Sequence, residues 1–277
     1  MGNSDFLIRN TIRIECVTDK GISTGTGFFF EFDFNDGKKI PTIVTNKHVV
    51  REGKIGRLHF AIVNEKDEFI AGEKYTVDIM NFEQQWIMHP DNNVDLCVLP
   101  IASIIAEADK KHIRIAMALL TKNNIITAEQ IKEISVIEDV TVVGYPDGIW
   151  DSYNNLPIVR KGITATPIIY DFEQKKEFLI DASIYGGSSG SPVFIFNQGS
   201  YNIGNSLVAG SRLLFVGIIY AVAQHTVTGE LGFIDIPVST KPVSVTQIPN
   251  NLGVVIKAQE MLVFEEIFKQ IIKQENA

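Results

Sequence analysis

The chain has 277 residues, 45% of them apolar, with 33 acidic against 25 basic side chains and a formal charge of −8. That length supports one large domain or two small ones with an ample core, and no run approaches the roughly 18 uninterrupted apolar residues of a membrane span. The acidic balance argues against a general nucleic-acid binder, and two cysteines, Cys16 and Cys97, are too few for a disulfide framework.

The start, Met1-Gly2-Asn3-Ser4-Asp5-Phe6, has neither a basic n-region nor an apolar h-region, so it does not read as a secretory signal. Position 6 also lacks the Ser or Thr of a myristoylation site. With no disulfide framework either, a reduced, cytoplasmic protein is expected. Strand-like runs then follow at 7–17, 26–34, 41–45, 57–63, 74–80 and 94–99, with Asn35-Asp36-Gly37-Lys38 as a hairpin turn. From Ile101 to Leu120 the apolar spacing turns helical, and Thr127-Ala128-Glu129-Gln130 reads as a capping box. Strand-like runs resume at 137–145, 157–166, 177–182, 192–196, 213–223 and 231–236, which predicts barrels or sandwiches. Val254 to Ile272 repeats apolar residues on one helical face, with Lys257, Glu260, Glu265, Lys269 and Lys273 mostly opposite. Packing on the second half of the chain, as a helix against the second barrel, is the ordinary use of such a face. Binding a regulatory partner or a second copy of the chain is the alternative.

The chemistry concentrates at Gly187-Ser188-Ser189-Gly190-Ser191-Pro192, set between Phe178-Leu179-Ile180 and Val193-Phe194-Ile195-Phe196. A glycine-rich turn of this kind can expose a serine hydroxyl beside backbone N–H groups aimed at a developing oxyanion. A flexible Gly/Ser linker is the alternative, but linkers are not usually followed at once by proline and a buried strand. A base and an orienting acid are then required. His48, in Thr45-Asn46-Lys47-His48-Val49-Val50, stands just past a strand end, where an imidazole can be fixed yet accessible. His59 within a strand, His89 before Pro90, His112 in a helical pattern and His225 in a polar turn are weaker bases. Asp95 opens the apolar run Leu96-Cys97-Val98-Leu99, so its carboxylate meets the core and needs a partner. His48, Asp95 and Ser189 follow one another in the chain order of a chymotrypsin triad. Cysteines and histidines are too scattered for zinc-ligand spacing, and no Gly-Lys-Ser/Thr follows a glycine-rich segment. No cofactor and no metal are expected.

These residues resemble a chymotrypsin-fold, trypsin-like serine peptidase, and most of all the protease domain of the HtrA/Deg group. Gly25-Thr26-Gly27-Phe28 resembles the opening hairpin, Thr45 to Val50 the histidine box, and His89-Pro90 with Asp95 to Leu99 the aspartate segment. Gly144-Tyr145-Pro146 and Gly162-Ile163 resemble a second-barrel hairpin, and Asp181 to Pro192 the nucleophile segment. Val216 to Ala221 and Gly232 to Pro237 resemble two later strands, so the matches run in order over roughly residues 20 to 240.

The resemblance implies an all-β fold of two antiparallel six-stranded barrels with a helical interbarrel segment and a C-terminal helix. Residues 1–120 would carry His48 and Asp95, and residues 121–277 would carry Ser189. The implied activity is a serine endopeptidase acting on protein or peptide substrates, with no nucleic-acid or membrane partner. A catalytically silent module of the same fold, or a serine esterase or amidase, is the alternative. Ser189 is preferred over Ser188 because Gly190 follows it and Pro192 lies three residues on. The backbone N–H groups of Gly187 and Ser189 would form the oxyanion hole. Ser191 stands where the family more often has glycine. Ser183, Tyr220 and Val222 would line the primary pocket; a non-acidic floor at Ser183 gives no support for Lys or Arg, and Val222, where open-pocket members keep glycine, points to a shallow pocket and a small or medium apolar residue before the scissile bond. No PDZ-like module is expected after Ala277, and loop rearrangement is the expected mode of control.

Overall fold

The computed structural model describes residues 3–34, 37–146, 150–204, 206–227 and 246–275. Its first departure from the sequence reading comes at once. Leu7 and Ile8, read as the start of a strand, lie in helix α1 (Asn3–Arg9), which has Asp5 in its first turn and Arg9 in its last, each complementing the helix dipole. Leu7 supplies the buried contact. Asn10 breaks the helix from the strand that follows: its buried amide donates to the carbonyls of Phe29 (2.8 Å) and Ala118 (2.7 Å).

The first half is an antiparallel sheet. Its strands are β1 (Thr11–Thr18), β2 (Gly21–Asp33), β3 (Lys39–Thr45), β4 (Ile55–Val63), β5 (Phe69–Met80), β6 (Ile87–Met88) and β7 (Cys97–Pro100), with β8 (Arg114–Ile115) paired to β4. The order is β5-β4-β1-β2-β3-β7-β6. This is not the closed six-stranded barrel expected. The two ends of the path, β5 and β6, are consecutive in sequence and joined by Asn81, in a left-handed conformation, and a 3₁₀ turn at Phe82–Gln85. The sheet returns on itself through the covalent chain, not through a ladder. Buried Phe82 and Trp86 fill that seam edge-to-face, 5.5 Å apart, and Gly56 makes the room: a Cβ there would stand 2.1 Å from the Phe82 ring.

The connection between halves holds helix α3 (Ala102–Lys110), shorter than the spacing over 101–120 implied. It stops at Lys111 and His112, the latter at φ 57°, and β8 takes over. Helix α4 (Ala128–Glu133) begins with the expected capping box: Gln130 N–H donates to Thr127 Oγ1 (3.2 Å) and Thr127 N–H to Gln130 Oε1 (2.9 Å).

The second half is a closed six-stranded barrel in the order β10-β11-β16-β15-β12-β9. Its strands are β9 (Asp139–Gly144), β10 (Ile158–Thr164), β11 (Glu177–Ala182), β12 (Pro192–Asn197), β15 (Arg212–Val227) and β16 (Thr246–Lys257). A separate hairpin, β13 (Ser200–Ile203) with β14 (Ser206–Ala209), leaves the end of β12. The strand expected at 231–236 lies outside the described residues.

Val254 to Lys257 belong to β16, with Val254 paired to both Leu179 and Ala221, so the C-terminal helix starts later than expected, as α5 (Leu262–Glu275). The β-branched run Val254-Val255-Ile256 suits a pleated sheet, and no turn residue marks where strand gives way to helix. Nor does α5 pack on the second barrel alone. Phe268 meets Phe32 of β2 at 5.1 Å, and Phe264 meets His89 edge-on at 5.6 Å. Phe28 of β2 and Phe215 of β15 pack across the halves at 5.2 Å, so one apolar core runs between them. A second core inside the first sheet encloses both thiols, Cys16 and Cys97. Among the described residues no helix is long and apolar enough to cross a membrane.

Candidate active site

The ladder between β3 and β7 pairs Thr45 with Cys97. This register lays the segment before β7 beside the segment after β3, and so brings Asp95 to His48. Asn46, fully buried, fixes the approach by donating its amide to the Asp95 carbonyl (2.7 Å). The short helix α2 (Lys47–Val50) then turns His48 outward while Val49 and Val50 enter the core.

His48 Nδ1 lies 2.5 Å from Asp95 Oδ2, and the His48 backbone N–H donates to Asp95 Oδ1 at 3.1 Å, so both carboxylate oxygens are engaged. Burial works against ionisation of Asp95, but the hydrogen bonds and charge of His48 outweigh it and hold the carboxyl below its usual range. With Nδ1 directed at Asp95, a neutral imidazole carries its proton there and offers Nε2 as an acceptor. The imidazole is 40% exposed while the Asp95 side chain is 22% exposed, an accessible base on a sheltered acid.

The serine turn joins β11 to β12. Ser188 N–H donates to Tyr185 O (3.1 Å), closing a turn whose third residue, Gly187, has φ 77°, a value glycine adopts freely. Gly190 N–H donates to Ile219 O (2.8 Å) and Ile219 N–H to Ser191 O (2.9 Å), anchoring the turn on β15. Ser188 is buried and Ser189 half-buried, so of the two neighbouring hydroxyls Ser189 is on the more accessible residue. Among the described residues neither Gly187 N–H nor Ser189 N–H has an acceptor.

What fixes this turn against the first half is Thr26 of β2. Its N–H donates to the Ser189 carbonyl (2.9 Å) and its hydroxyl to the Gly187 carbonyl (3.0 Å). That hydroxyl accepts from Tyr145 N–H (2.9 Å), and the Thr26 carbonyl accepts from Thr45 Oγ1 (2.7 Å). The Ser189 turn is thus tied through Thr26 to Thr45, three residues before His48. Sequence reading placed Gly25-Thr26-Gly27 in an opening hairpin and missed this use of its threonine; a threonine in a strand otherwise reads as ordinary β propensity. The departure at Ser191 is absorbed next door. Its buried hydroxyl faces Gly144, where a Cβ would stand 2.0 Å away.

The expected pocket residues sit on both sides of the turn. Ser183 is exposed just past β11, and its carbonyl accepts from Arg160 Nη1. Tyr220, half-buried in β15, donates its hydroxyl to buried Glu177 (3.0 Å); burial and the adjacent carboxylate keep the phenol protonated well above its usual range. Val222 lies in β15 opposite Gly253. The other histidines are elsewhere. His59 bonds Thr76 Oγ1 (3.1 Å), His89 accepts from Asp91 N–H (3.1 Å), and His225 is in β15 and not in a turn. Among the described residues no group of three or more His, Cys, Asp or Glu could hold a metal ion.

Comparison with curated proteins gives no match. Among solved structures, the chain is similar to the Rv3671c protease of M. tuberculosis in its active form, at 15% identity over 92% of this chain and 79% of that one, TM-score 0.42. It is also similar to the serine endoprotease of Yersinia pestis, at 15% identity over 99% and 67%, TM-score 0.47. A third likeness is to the HtrA-type protease AlgW with tripeptide, at 15% identity over 99% and 65%, TM-score 0.46. The family described as the trypsin-like peptidase domain matches residues 25–201, a span that opens on the Thr26 hairpin and takes in His48, Asp95 and the Ser189 turn, and the chain belongs to that family.

Proposed function

We propose that the protein is a serine endopeptidase that cleaves protein or peptide substrates through Ser189, His48 and Asp95. Ser189 Oγ attacks the scissile carbonyl while His48 Nε2 takes its proton, and the acyl-enzyme forms as that proton passes to the leaving amine. Water then repeats the sequence and frees the acid. Asp95 holds the ring in one tautomer and stabilises its cation. The Gly187 and Ser189 N–H groups would receive the oxyanion, a contribution of about 2.7–4 kcal/mol per donor in such sites. The first half of the chain, residues 1–120, supplies the acid–base pair, and the second, residues 121–277, supplies the nucleophile.

The observation that carries this reading is the His48–Asp95 pair, held by two hydrogen bonds on a buried register, beside a serine turn tied through Thr26 to the same strand end. A fluorophosphonate probe tests it. Wild type and Ser188→Ala should label and Ser189→Ala should not; labelling that survives Ser189→Ala removes the assignment. Casein and ester substrates assayed side by side separate a peptidase from an esterase, and absence of labelling in the wild type identifies a silent module.

A further inference from the structure

Asp95 reaches His48 near the end of a short loop that closes on itself. Past the Met88–Cys97 pair of β6 and β7, the His89 backbone N–H donates to Leu96 O (2.9 Å), one residue beyond Asp95. Inside that closure two side chains cap successive turns. His89 Nδ1 accepts from Asp91 N–H (3.1 Å), and Asp91 Oδ1 accepts from Asn93 N–H (2.8 Å). Val94 N–H then returns to Asp91 O (3.2 Å), which also accepts from Lys47 Nζ (2.9 Å), the neighbour of His48 in α2. Residues 90–93 are all exposed and His89 is buried, so its side chain ties the exposed part of the turn to the interior. The ring is edge-on to Phe264 of α5 (5.6 Å), and its Nε2 lies 3.6 Å from Glu260 Oε2, in the 3₁₀ turn at Ala258–Met261.

We infer that His89 is a positioning residue for the reaction: its neutral Nδ1 holds the turn that presents Asp95 to His48, and a proton on Nδ1 releases that turn. This rests on the serine peptidase reading above. An imidazole that accepts at Nδ1 carries its proton on Nε2, where it faces Glu260. A second proton makes Nδ1 a donor set against the Asp91 N–H, also a donor, and the bond between them is lost. The charged and titratable groups facing the ring are Asp91 on its own loop, Lys47 from α2 and Glu260 from the turn before α5. Burial, the largest influence, and Lys47 lower the proton affinity of the ring from the ordinary 6.5, while Asp91 and Glu260 raise it; the net direction is down. The turn is therefore held at neutral pH and released in acid.

The test is the rate at which a fluorophosphonate labels Ser189 in wild type, His89→Asn and His89→Leu, followed from about pH 8 downward over the range in which tryptophan fluorescence reports an intact fold. Leucine removes the acceptor, and labelling about 10²-fold slower is expected, the scale of a small misplacement of a catalytic group. Asparagine accepts from the N–H two residues on and does not titrate, so His89→Asn should recover to within about threefold of wild type at pH 8. The acid limb separates this role from a merely structural one. His48 must be neutral to act as base and accounts for one proton. Below pH 6.5 the wild-type rate should steepen toward a two-proton slope, while His89→Asn keeps a slope of one. A one-proton slope in wild type, a two-proton slope that persists in His89→Asn, or wild-type labelling by His89→Leu overturns the inference. If His89→Leu does not fold, the slopes of wild type and His89→Asn decide alone. If Ser189 labels and those slopes agree, this inference falls and the peptidase reading stands. If the wild type neither labels nor hydrolyses casein, the peptidase reading falls and takes the inference with it.

Discussion

Gly190 has no room for a side chain against Thr26: a Cβ there would stand 1.9 Å from the Thr26 carbonyl oxygen and 2.5 Å from Thr45 Oγ1. The same residue has φ 85°, which costs an L-residue about 1–2 kcal/mol. Gly190→Ala should therefore push β2 away from the serine turn. The expected outcome is a lower melting temperature and loss of fluorophosphonate labelling, read by thermal denaturation and gel fluorescence on one preparation. Retained labelling at wild-type rate would show that the close approach is not needed.

Thr26 is the next position to change. Valine keeps its shape but removes the hydroxyl that donates to Gly187 O and accepts from Tyr145 N–H. Leaving such buried groups unpartnered costs about 1–3 kcal/mol. Thr26→Val should lose stability on that scale in a denaturant titration and lose kcat with little change in KM. Thr26→Ser should recover both.

Asp95→Asn leaves the shape of the site intact but no longer fixes the His48 tautomer, and a fall of about 10⁴ in kcat is expected. The pH dependence of stability follows from the lowered Asp95 carboxyl. A carboxyl held below its ordinary value of 3.8 in the folded protein stabilises the fold fully above that value, and the contribution is lost as pH falls through the folded value. Wild type should therefore lose more stability than Asp95→Asn below pH 3.8, as measured by acid titration of the fold. Parallel acid transitions would contradict the pairing.

His59 and His89 are both lowered from 6.5, chiefly by burial. His59 faces Glu15 at 3.4 Å with Arg13 and Lys74 nearby, and His89 faces Glu260 at 3.6 Å with Lys47 and Asp91 nearby. The unfolded chain binds these protons first, so stability is full above pH 6.5 and declines as pH falls from there through the folded values. Glu260, raised from 4.5 by burial, runs the other way and favours the fold at low pH. The expected result is a melting temperature that drops from pH 7.5 to 5.5 and drops less in the His59→Gln, His89→Gln double variant. An equal drop in both proteins would place the titration on other groups.

The pairing of His48 with Asp95 was legible because each stands at the boundary of an apolar run, where a strand ends and a side chain can be both fixed and exposed. Thr26, Thr45 and Asn46, which hold the turn and the carboxylate in place, gave no comparable signal. Their roles depend on hydrogen bonds between segments far apart in sequence. The fold was legible strand by strand and less so at the ends. Leu7 suits helix and strand alike, and only its partners decide between them, while Val254 is β-branched and favours the strand it forms yet falls in step with the helical spacing that follows it. The open seam of the first sheet was not legible, because it depends on the Phe82 ring entering the space above Gly56.

The two thiols of the first half give that region a clock. Cys97 Sγ contacts the Thr45 carbonyl at 3.7 Å, two residues from Asp95, and burial keeps both thiols above the ordinary thiol range. An alkylating reagent, which needs an accessible thiolate, must wait for the sheet to open before it can react. The rate of modification at Cys97 therefore measures how often the sheet of the first half comes apart. A ligand that bridges His48 and the serine turn would slow that rate without touching either sulfur.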